Sequence, residues 1–376
     1  MPFFFSRGES ELATRIRAFA DRHFLGEVEP RTPEAGVDAG NQAIVDLAAG
    51  GLLEAAIGPA DAPRKGSLLR CLAREEVAYA SALVDAVLAV QGLGAHPVAI
   101  AGTPDQKRLL EKGREGKVVF GFAVTEPDAG SDVGRIATEA RREGQGYVLT
   151  GTKVFISNAG LATHYTVFAR TAPGKKGISC FLVPAELVRV SLIELNAAHP
   201  VGVLELEGAR LPETARLGDE GAGVALALGT LDVFRPSVGA AAIGMGRRAL
   251  DEALAHVEGR VQFGAALAEN SQVQALLAAA ATELEAARLL VYRAAWKNDT
   301  GEERATLESA MAKLAATEAA QKAVDLAVQL AGGLGVIRGR IAERLYRSVR
   351  SLRIYEGASE VMKLVIAREL RERARR

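Results

Sequence analysis

Aromatic residues are scarce: phenylalanine, tryptophan and tyrosine together make up 5% of 376 residues, with a single tryptophan. Burial must therefore come mainly from alanine, leucine and valine, which suit closely spaced helices. Cysteine is almost missing as well. Cys71 and Cys180 lie far apart and form no CxxC pair, so neither a disulfide framework nor a structural zinc site is expected, and a reducing, cytoplasmic setting fits best. Net charge is absent, because 46 basic residues balance 46 acidic ones. Neither nucleic acid nor an anionic membrane surface is an expected partner. No charge-free apolar stretch of about 18 residues stands out, and the N-terminal run Pro2 to Phe5 is too short for a signal sequence, so no membrane span is expected.

Several chemical signatures are also lacking. The histidines, His23, His96, His164, His199 and His256, form no i, i+4 pair and stand near no cysteine, so no metal site is expected. GxSxG and GxxxxGK[ST] do not occur, which removes nucleophile-elbow hydrolases and P-loop enzymes from consideration. Gly244-Met245-Gly246-Arg247-Arg248-Ala249 matches GxGxxA, but it lies in a helical stretch from about Ser237 to His256 with no strand before it. Its glycines read as helix-packing residues rather than a dinucleotide fingerprint.

What is present is a change of period along the chain. Up to about residue 116 the pattern is helical, with apolar positions Leu12, Ile16 and Phe19 in one stretch and a second helical stretch from Glu75 to Val90. Gly102-Thr103-Pro104 predicts a stop followed by a capped helix start at Asp105, and Gly58 to Gly66 reads as a loop. From Lys117 the segments VVFGFAVTEP, EARREGQGYVLTGTKVFIS, HYTVFART, GISCFLVPA and GVLELEGARLP are short, β-branched or aromatic, and separated by turn residues, as antiparallel strands are. Helical period returns at Gly223. Val273, Leu276, Leu277, Ala280, Leu284, Ala287, Val291 and Ala294 mark one long amphipathic helix, and Leu307, Met311, Leu314, Val324 and Val328 another. The fold expected is mainly α with an inserted β domain: an N-terminal helical domain (1–116), a middle antiparallel β domain (117–222) and a C-terminal four-helix bundle (223–376).

Two segments carry possible chemistry. Thr125-Glu126-Pro127-Asp128-Ala129-Gly130-Ser131-Asp132 follows a strand and offers backbone N–H groups with two hydroxyls, which suits either a plain tight turn or a seat for an anion or a heteroaromatic ring. Ile354-Tyr355-Glu356-Gly357-Ala358-Ser359-Glu360 sets one carboxylate in an apolar, glycine-broken linker before a helix. Exposed, Glu356 is an ordinary solvated residue; buried, it gains a raised pKa and becomes a competent general base.

These segments, with Phe155-Ile156-Ser157-Asn158, Arg260-Val261-Gln262-Phe263-Gly264 and Gln329-Leu330-Ala331-Gly332-Gly333, stand in the order and spacing of the acyl-CoA dehydrogenase family, which the sequence resembles from about Ser10 to Arg373. The resemblance implies FAD as cofactor. It implies that Phe122, Val124, Thr125, Gly130 and Ser131 line the flavin ring, with Ser131 also at the mouth of the acyl-CoA site, and that Phe155, Ile156 and Ser157 lie against the isoalloxazine. It further implies that Arg260, Gln262 and Phe263 reach the FAD pyrophosphate of a neighbouring subunit and that Gln329, Gly332 and Gly333 reach its adenosine end, so a homo-oligomer, by family habit a tetramer, is expected. Ala358 and Glu360 fall among the cofactor-binding positions, while Asp232, Arg235, Tyr355 and Gly357 fall among the thioester-CoA contacts.

Glu356 matches the family's base. Some relatives carry the base instead at the position held here by Phe234, which cannot accept a proton. The implied reaction removes two hydrogens from the Cα–Cβ bond of an acyl thioester, giving a trans-2-enoyl-CoA and passing electrons to an electron-transfer flavoprotein. Such chemistry needs donors at the thioester oxygen, each worth about 3 kcal/mol in a dry site. The sequence departs from the family's usual residues at Phe155, Ser271, Ser348 and Ala358, and in the loops 58–66 and 197–203. Small residues Ala86 and Ala89 fall on the helix that would line the acyl pocket. An oxidase using O2, or a scaffold that has become a binding partner, remain the alternatives.

Overall fold

The computed structural model describes residues 7–59, 62, 65–301 and 304–375. The apolar N-terminal run and residues 60, 61, 63 and 64 of the Gly58–Gly66 loop lie outside the described residues. Six helices come first: α1 (Arg7–Phe24), α2 (Pro33–Ala49), α3 (Leu52–Ile57), α4 (Ser67–Ala80), α5 (Ala82–Ala101) and α6 (Pro104–Arg114). Eight strands follow: β1 (Phe120–Ala123), β2 (Glu139–Glu143), β3 (Gly146–Ser157), β4 (His164–Arg170), β5 (Ile178–Pro184), β6 (Arg189–Leu192), β7 (Val201–Pro212) and β8 (Arg216–Leu217). Then come α7 (Gly223–Gly259), a ribbon of β9 (Val261–Gln262) and β10 (Ala265–Ala266), α8 (Ser271–Thr300), α9 (Thr306–Ala331), α10 (Ile341–Leu352) and α11 (Ser359–Arg373). A mainly helical chain with an inserted β region is what the change of period predicts.

Local chemistry explains several boundaries. Thr103 caps α6 by accepting from Gln106 N–H at 3.3 Å while the Gln106 side chain accepts from Thr103 N–H at 2.8 Å, so this helix starts at Pro104, one residue before the expected Asp105. The single helix expected across 75–90 is two. Ser81 ends α4 and caps α5, its Oγ accepting from Val84 N–H at 3.3 Å and donating to Glu27 at 2.6 Å.

The chain forms two compact units: residues up to Glu29 with Ser67–Asp85 and the chain from Asp232 onward make one, and Pro30–Gly66 with Ala86–Leu231 make the other. This cuts the molecule differently from three consecutive segments: α1 and α4 group with the C-terminal helices, whereas α2, α3 and α6 group with the sheet. Periodicity reports which element a segment forms, not which elements share a core.

The first unit has a core of small side chains, among them Ala240, Ala241, Ala316, Ala320 and Ala323, all fully buried. Close helix approach follows. A Cβ on Gly244 would stand 2.0 Å from the Glu75 carbonyl oxygen of α4, and one on Gly246 would stand 2.7 Å from a Leu284 methyl of α8. The GxGxxA glycines are thus packing residues, as the sequence context indicates. On α8, Ala280, Leu284, Ala287, Val291 and Ala294 are buried, but Leu276 of the same stripe is 51% exposed.

In the second unit the sheet order is β6-β7-β3-β2-β4-β5-β8, with β1 added beside β4. Most ladders are antiparallel, but β1 pairs parallel with β4, and β2 meets β4 in parallel at Glu139 and Arg170, which corrects the purely antiparallel expectation. The β2–β3 hairpin lies between β1 and β4 in sequence, and it supplies the long connection that a parallel pair requires.

The expectation that no segment could span a membrane also needs correction. By length and composition α5 and α7 are both long and apolar enough, and 83% of the apolar window of each is buried inside the protein, as in core helices.

Gly244→Ala gains about 1 kcal/mol of helix propensity, but the carbonyl it meets belongs to backbone and cannot rotate away. Overpacking costs about 1–3 kcal/mol. The variant is expected to unfold at lower urea than the parent, and an unchanged or higher midpoint would contradict this account of the helix contact.

Candidate active site

In the sheet unit the site residues depend on a buried ion pair. Side chains alternate along β3, so the parity that buries Tyr147 and Leu149 also turns Lys153 inward, where it is fully buried. Lys153 Nζ donates to Glu126 Oε1 at 2.7 Å and to the Val124 carbonyl at 3.2 Å. Glu126 also accepts from the backbone N–H groups of Ala137 at 2.5 Å and Thr138 at 2.9 Å. Burial opposes the charge on Glu126, but Lys153 and these donors outweigh it and hold the carboxyl below its ordinary pKa. Burial pushes Lys153 down to about 8 against the pull of Glu126.

The pair fixes the turn after β1. Glu126 and Ala129 exchange backbone hydrogen bonds of 3.1 Å, and Val154 N–H donates to the Thr125 carbonyl at 2.9 Å. Phe122 is buried with its ring edge-on to Phe168 at 5.2 Å, Val124 and Thr125 are half-buried, and Gly130 and Ser131 are exposed. The β3–β7 register shifts between Lys153 and Ile156. At this bulge Phe155 takes φ 57, and its ring is 64% exposed. A bulge re-aims a side chain, and the positive φ costs about 1–3 kcal/mol for a non-glycine residue. Ile156 is buried beside it. Ser157 Oγ stands 3.5 Å from Nε2 of His199, a half-buried imidazole whose pKa burial pushes down to about 4.

In the helical unit Glu356 lies in the linker between α10 and α11, at φ 52, followed by Gly357 at φ 104. Arg235 Nε donates to the Glu356 carbonyl at 3.1 Å, and Lys313 Nζ donates to the Gly357 carbonyl at 2.7 Å. Arg235 is held by Asp232 at 2.6 Å, and Asp232 also accepts from Arg304 and, at 2.7 Å, from Thr306. Glu318 on α9 accepts from Arg353 at 2.8 Å and from Ser359 at 2.6 Å, closing both ends of the linker.

The carboxylate itself is treated differently. Glu356 Oε2 is buried and, among the described residues, has no hydrogen-bond partner. Burial raises its pKa; the charges of Arg74, Lys313 and Arg235 counter this in part, and Asp85 adds to it. Arg74 and Asp85 form a buried two-bond pair, both bonds 2.9 Å. Tyr355, Gly357 and Ala358 are half-buried, Glu360 is exposed at the start of α11, and Phe234 is buried with Arg70 4.3 Å from its ring centre.

The structure thus gathers Phe122–Ser131 with Phe155–Ser157 in one unit, and Asp232 and Arg235 with Glu356 and Gly357 in the other. The remaining candidates stand apart. Arg260, Gln262 and Phe263 are exposed on the β9–β10 ribbon, where Phe263 keeps φ 55 and is 105% exposed. Gln329, Gly332 and Gly333 are exposed at the end of α9, with Gly332 at φ 57, and among the described residues they share no hydrogen bond with the ribbon. Sequence reasoning missed Lys153, His199 and Lys313. The available signal was a charged residue on an inward stripe of a strand or helix.

Known proteins settle the family. Residues 121–209 match the description "Acyl-CoA dehydrogenase, middle domain" and residues 221–371 "Acyl-CoA dehydrogenase, C-terminal domain". Cyclohexane-1-carbonyl-CoA dehydrogenase of Geobacter metallireducens is 38% identical over 317 residues, covering 82% of this chain and 83% of the relative. The chain belongs to the acyl-CoA dehydrogenase family. The 3-(aryl)acrylate reductase of Clostridium sporogenes is 40% identical over 305 residues, covering 79% and 81%. The butyryl-CoA dehydrogenase structure from Megasphaera elsdenii aligns with a TM-score of 0.87 at 30% identity, covering 97% of this chain and 98% of that one.

As an acyl-CoA dehydrogenase the protein is an FAD-dependent oxidoreductase. Its residues fit a flavin. The bulge presents the flat apolar ring of Phe155, and the hydroxyls of Thr125, Ser131 and Ser157 with the turn after β1 offer the hydrogen-bonding groups that a heteroaromatic ring asks for.

Lys153→Met leaves Glu126 buried without its cation. Breaking a buried pair costs about 3–5 kcal/mol, to be read as a lower urea midpoint. The double change Glu126→Gln with Lys153→Met should recover part of the loss.

His199 gives a second expectation. Its folded pKa of about 4 lies below the ordinary 6.5, so the unfolded chain takes up the proton first as pH falls through that window, and stability declines there. His199→Gln should flatten that stretch of the stability–pH curve; an unchanged slope would mean the imidazole is solvated.

Proposed function

We propose that this enzyme removes the α-proton and a β-hydride from an acyl-CoA thioester, with Glu356 as the base, and yields a trans-2-enoyl-CoA. The observation that carries the reading is the buried, partnerless Oε2 on a carboxyl whose pKa burial raises. A general base works best with a pKa near the working pH, and an oxygen already saturated with donors would be a poor proton acceptor. The flavin, when bound, supplies the hydride acceptor. Glu356 Oε2 takes the α-proton, and the Glu356 backbone N–H, turned by φ 52, is the donor we assign to the thioester oxygen. Phe155, Ile156 and Ser157 would seat the ring, and Arg260, Gln262, Gln329, Gly332 and Gly333 its phosphate and adenosine parts.

The finer features belong to the same reading. A homotetramer is supported by the wholly exposed Phe263 ring and the exposed Leu276, apolar groups that a second copy would cover. Electron-transfer flavoprotein is the proposed acceptor, and fatty acid metabolism in the cytoplasm the setting. The name of the Geobacter relative, together with small Ala86 and Ala89, favours a branched or ring-bearing acyl group. The name of the Clostridium relative favours a second reading in which the same site runs toward reduction of an acrylate.

Glu356→Gln is expected to keep its yellow FAD and bind acyl-CoA while losing about 10²–10⁴-fold in the rate of anaerobic flavin bleaching. Bleaching at the parent rate would remove Glu356 from the mechanism. A panel of straight, branched and cyclic acyl-CoA thioesters in the same titration tests the substrate class.

A further inference from the structure

We propose that Lys313 is a positioning residue for the base: from α9 it pins the Gly357 carbonyl, while Arg235 pins the Glu356 carbonyl from α7, and its charge favours the ionised carboxylate. The inference rests on Glu356 being the base. The two carbonyls belong to the peptide planes on either side of Gly357, so donors at 3.1 Å and 2.7 Å from two different helices remove the freedom of both planes to flip. A left-handed pair at φ 52 and 104 is not a conformation the chain keeps unaided, at least at the glutamate. Glycine is favoured at the second position by its φ of 104, where any other side chain is strained; a Cβ there would also meet Met362 Cε at 2.4 Å, the movable end of a flexible side chain.

Lys313 is a costly choice for a carbonyl donor. It is fully buried on a stripe of α9 shared with Ser309, Ala316, Thr317 and Ala320. Burial pushes it down to about 8, and the charge of Glu356 is the largest influence restoring it. A neutral amide could hold the carbonyl at less desolvation cost, so the ammonium marks a site where the charge is used. The groups acting on Glu356 include Arg70 and Arg74 of α4, Asp85 of α5, Arg235 of α7, Lys313 of α9 and the neighbouring Tyr355; those acting on Lys313 include Glu356, Arg235, Glu318 and Arg353. Lys313 from α9, like Arg235 from α7, both pins the turn and lowers the pKa of Glu356.

Two variants separate the roles. Lys313→Gln keeps an N–H donor and drops the charge, and Lys313→Met drops both. Without the charge Glu356 protonates more readily, so the acidic limb of the kcat–pH profile should move to higher pH in both, as should the Glu356 carboxyl titration followed by infrared difference. Lys313→Met should also lose about 10–100-fold in plateau kcat with KM little changed, the scale of a displaced catalytic group. Lys313→Arg should bring the limb back. In a Glu356→Gln background Lys313→Met should add no further loss, since the two act as one unit. An acidic limb and carboxyl titration unmoved in Lys313→Gln overturn the proposal, and that variant decides alone if the Met variant does not fold. Parent-rate bleaching by Glu356→Gln would instead overturn the base reading itself.

Discussion

A half-buried glutamate with one carboxylate oxygen sealed from water and, among the described residues, without a partner is the constraint around which the helical unit is arranged. Burying a polar atom without a partner costs about 1–3 kcal/mol, and among the described residues no other carboxylate oxygen bears it. Glu75, fully buried on α4, accepts from Arg247 at 2.5 Å, Arg288 at 3.0 Å and Tyr292 at 2.5 Å. Glu126 accepts from a lysine and two backbone N–H groups, and its pKa falls. Glu356 has the same side chain and its pKa rises, because burial outweighs the charges of Arg74, Lys313 and Arg235, whose hydrogen bonds go to backbone carbonyls or to another carboxylate. Burial also raises the pKa of Asp85, which Arg74 holds by two hydrogen bonds, so what sets Glu356 apart is the bare buried oxygen and not the direction of its pKa.

Holding such a group in place falls to the backbone around it. With no donor on Oε2 among the described residues, the carboxylate takes its position largely from the turn that carries it, where Arg235 and Lys313 hold main-chain carbonyls and Glu318 holds the ends of the linker. The sheet unit uses the same division of labour. Lys153 and Glu126 are saturated with each other and with backbone, and they rigidify the turn after β1, while Ser131 and Phe155, among the residues assigned to the flavin, remain exposed. One strand, β3, carries both kinds of residue, and its bulge lets the alternation break so that Phe155 faces outward two residues after a buried lysine.

Much of this was legible in the sequence, for reasons that also mark where legibility ended. The shift from a helical period to a period of two placed five strand-bearing segments and the long helices, because burial on one face leaves a local imprint. Partner choice leaves none, so the parallel pairing of β1 with β4 and the grouping of α1 and α4 with the C-terminal helices could not be read. Glu356 stood out by its apolar, glycine-broken neighbourhood, yet whether it was dry depended on Arg235 and Lys313, distant in sequence. Lys153 and Lys313 escaped notice since a charge on an inward stripe reads as noise until its partner is known. The roles of Arg260, Gln262 and Gln329 came from family resemblance alone; nothing in their own surroundings announces a ligand.

The two glycines of the GxGxxA stretch show how unevenly such a fold tolerates change. Gly246 faces chiefly the Leu284 side chain, with the Ala320 Cα next at 3.3 Å, so a larger residue there needs a smaller one at Leu284 together with a slight shift of α9. Gly244 faces the main-chain oxygen of Glu75, which no substitution removes. One position is open to compensation and the other is closed to it, and the closed one abuts the helix that carries both Glu75 and Arg74. Sequence variation in this bundle is therefore channelled: side chains across α7 and α8 can be exchanged in pairs, while the approach of α7 to α4 admits only the residue already there.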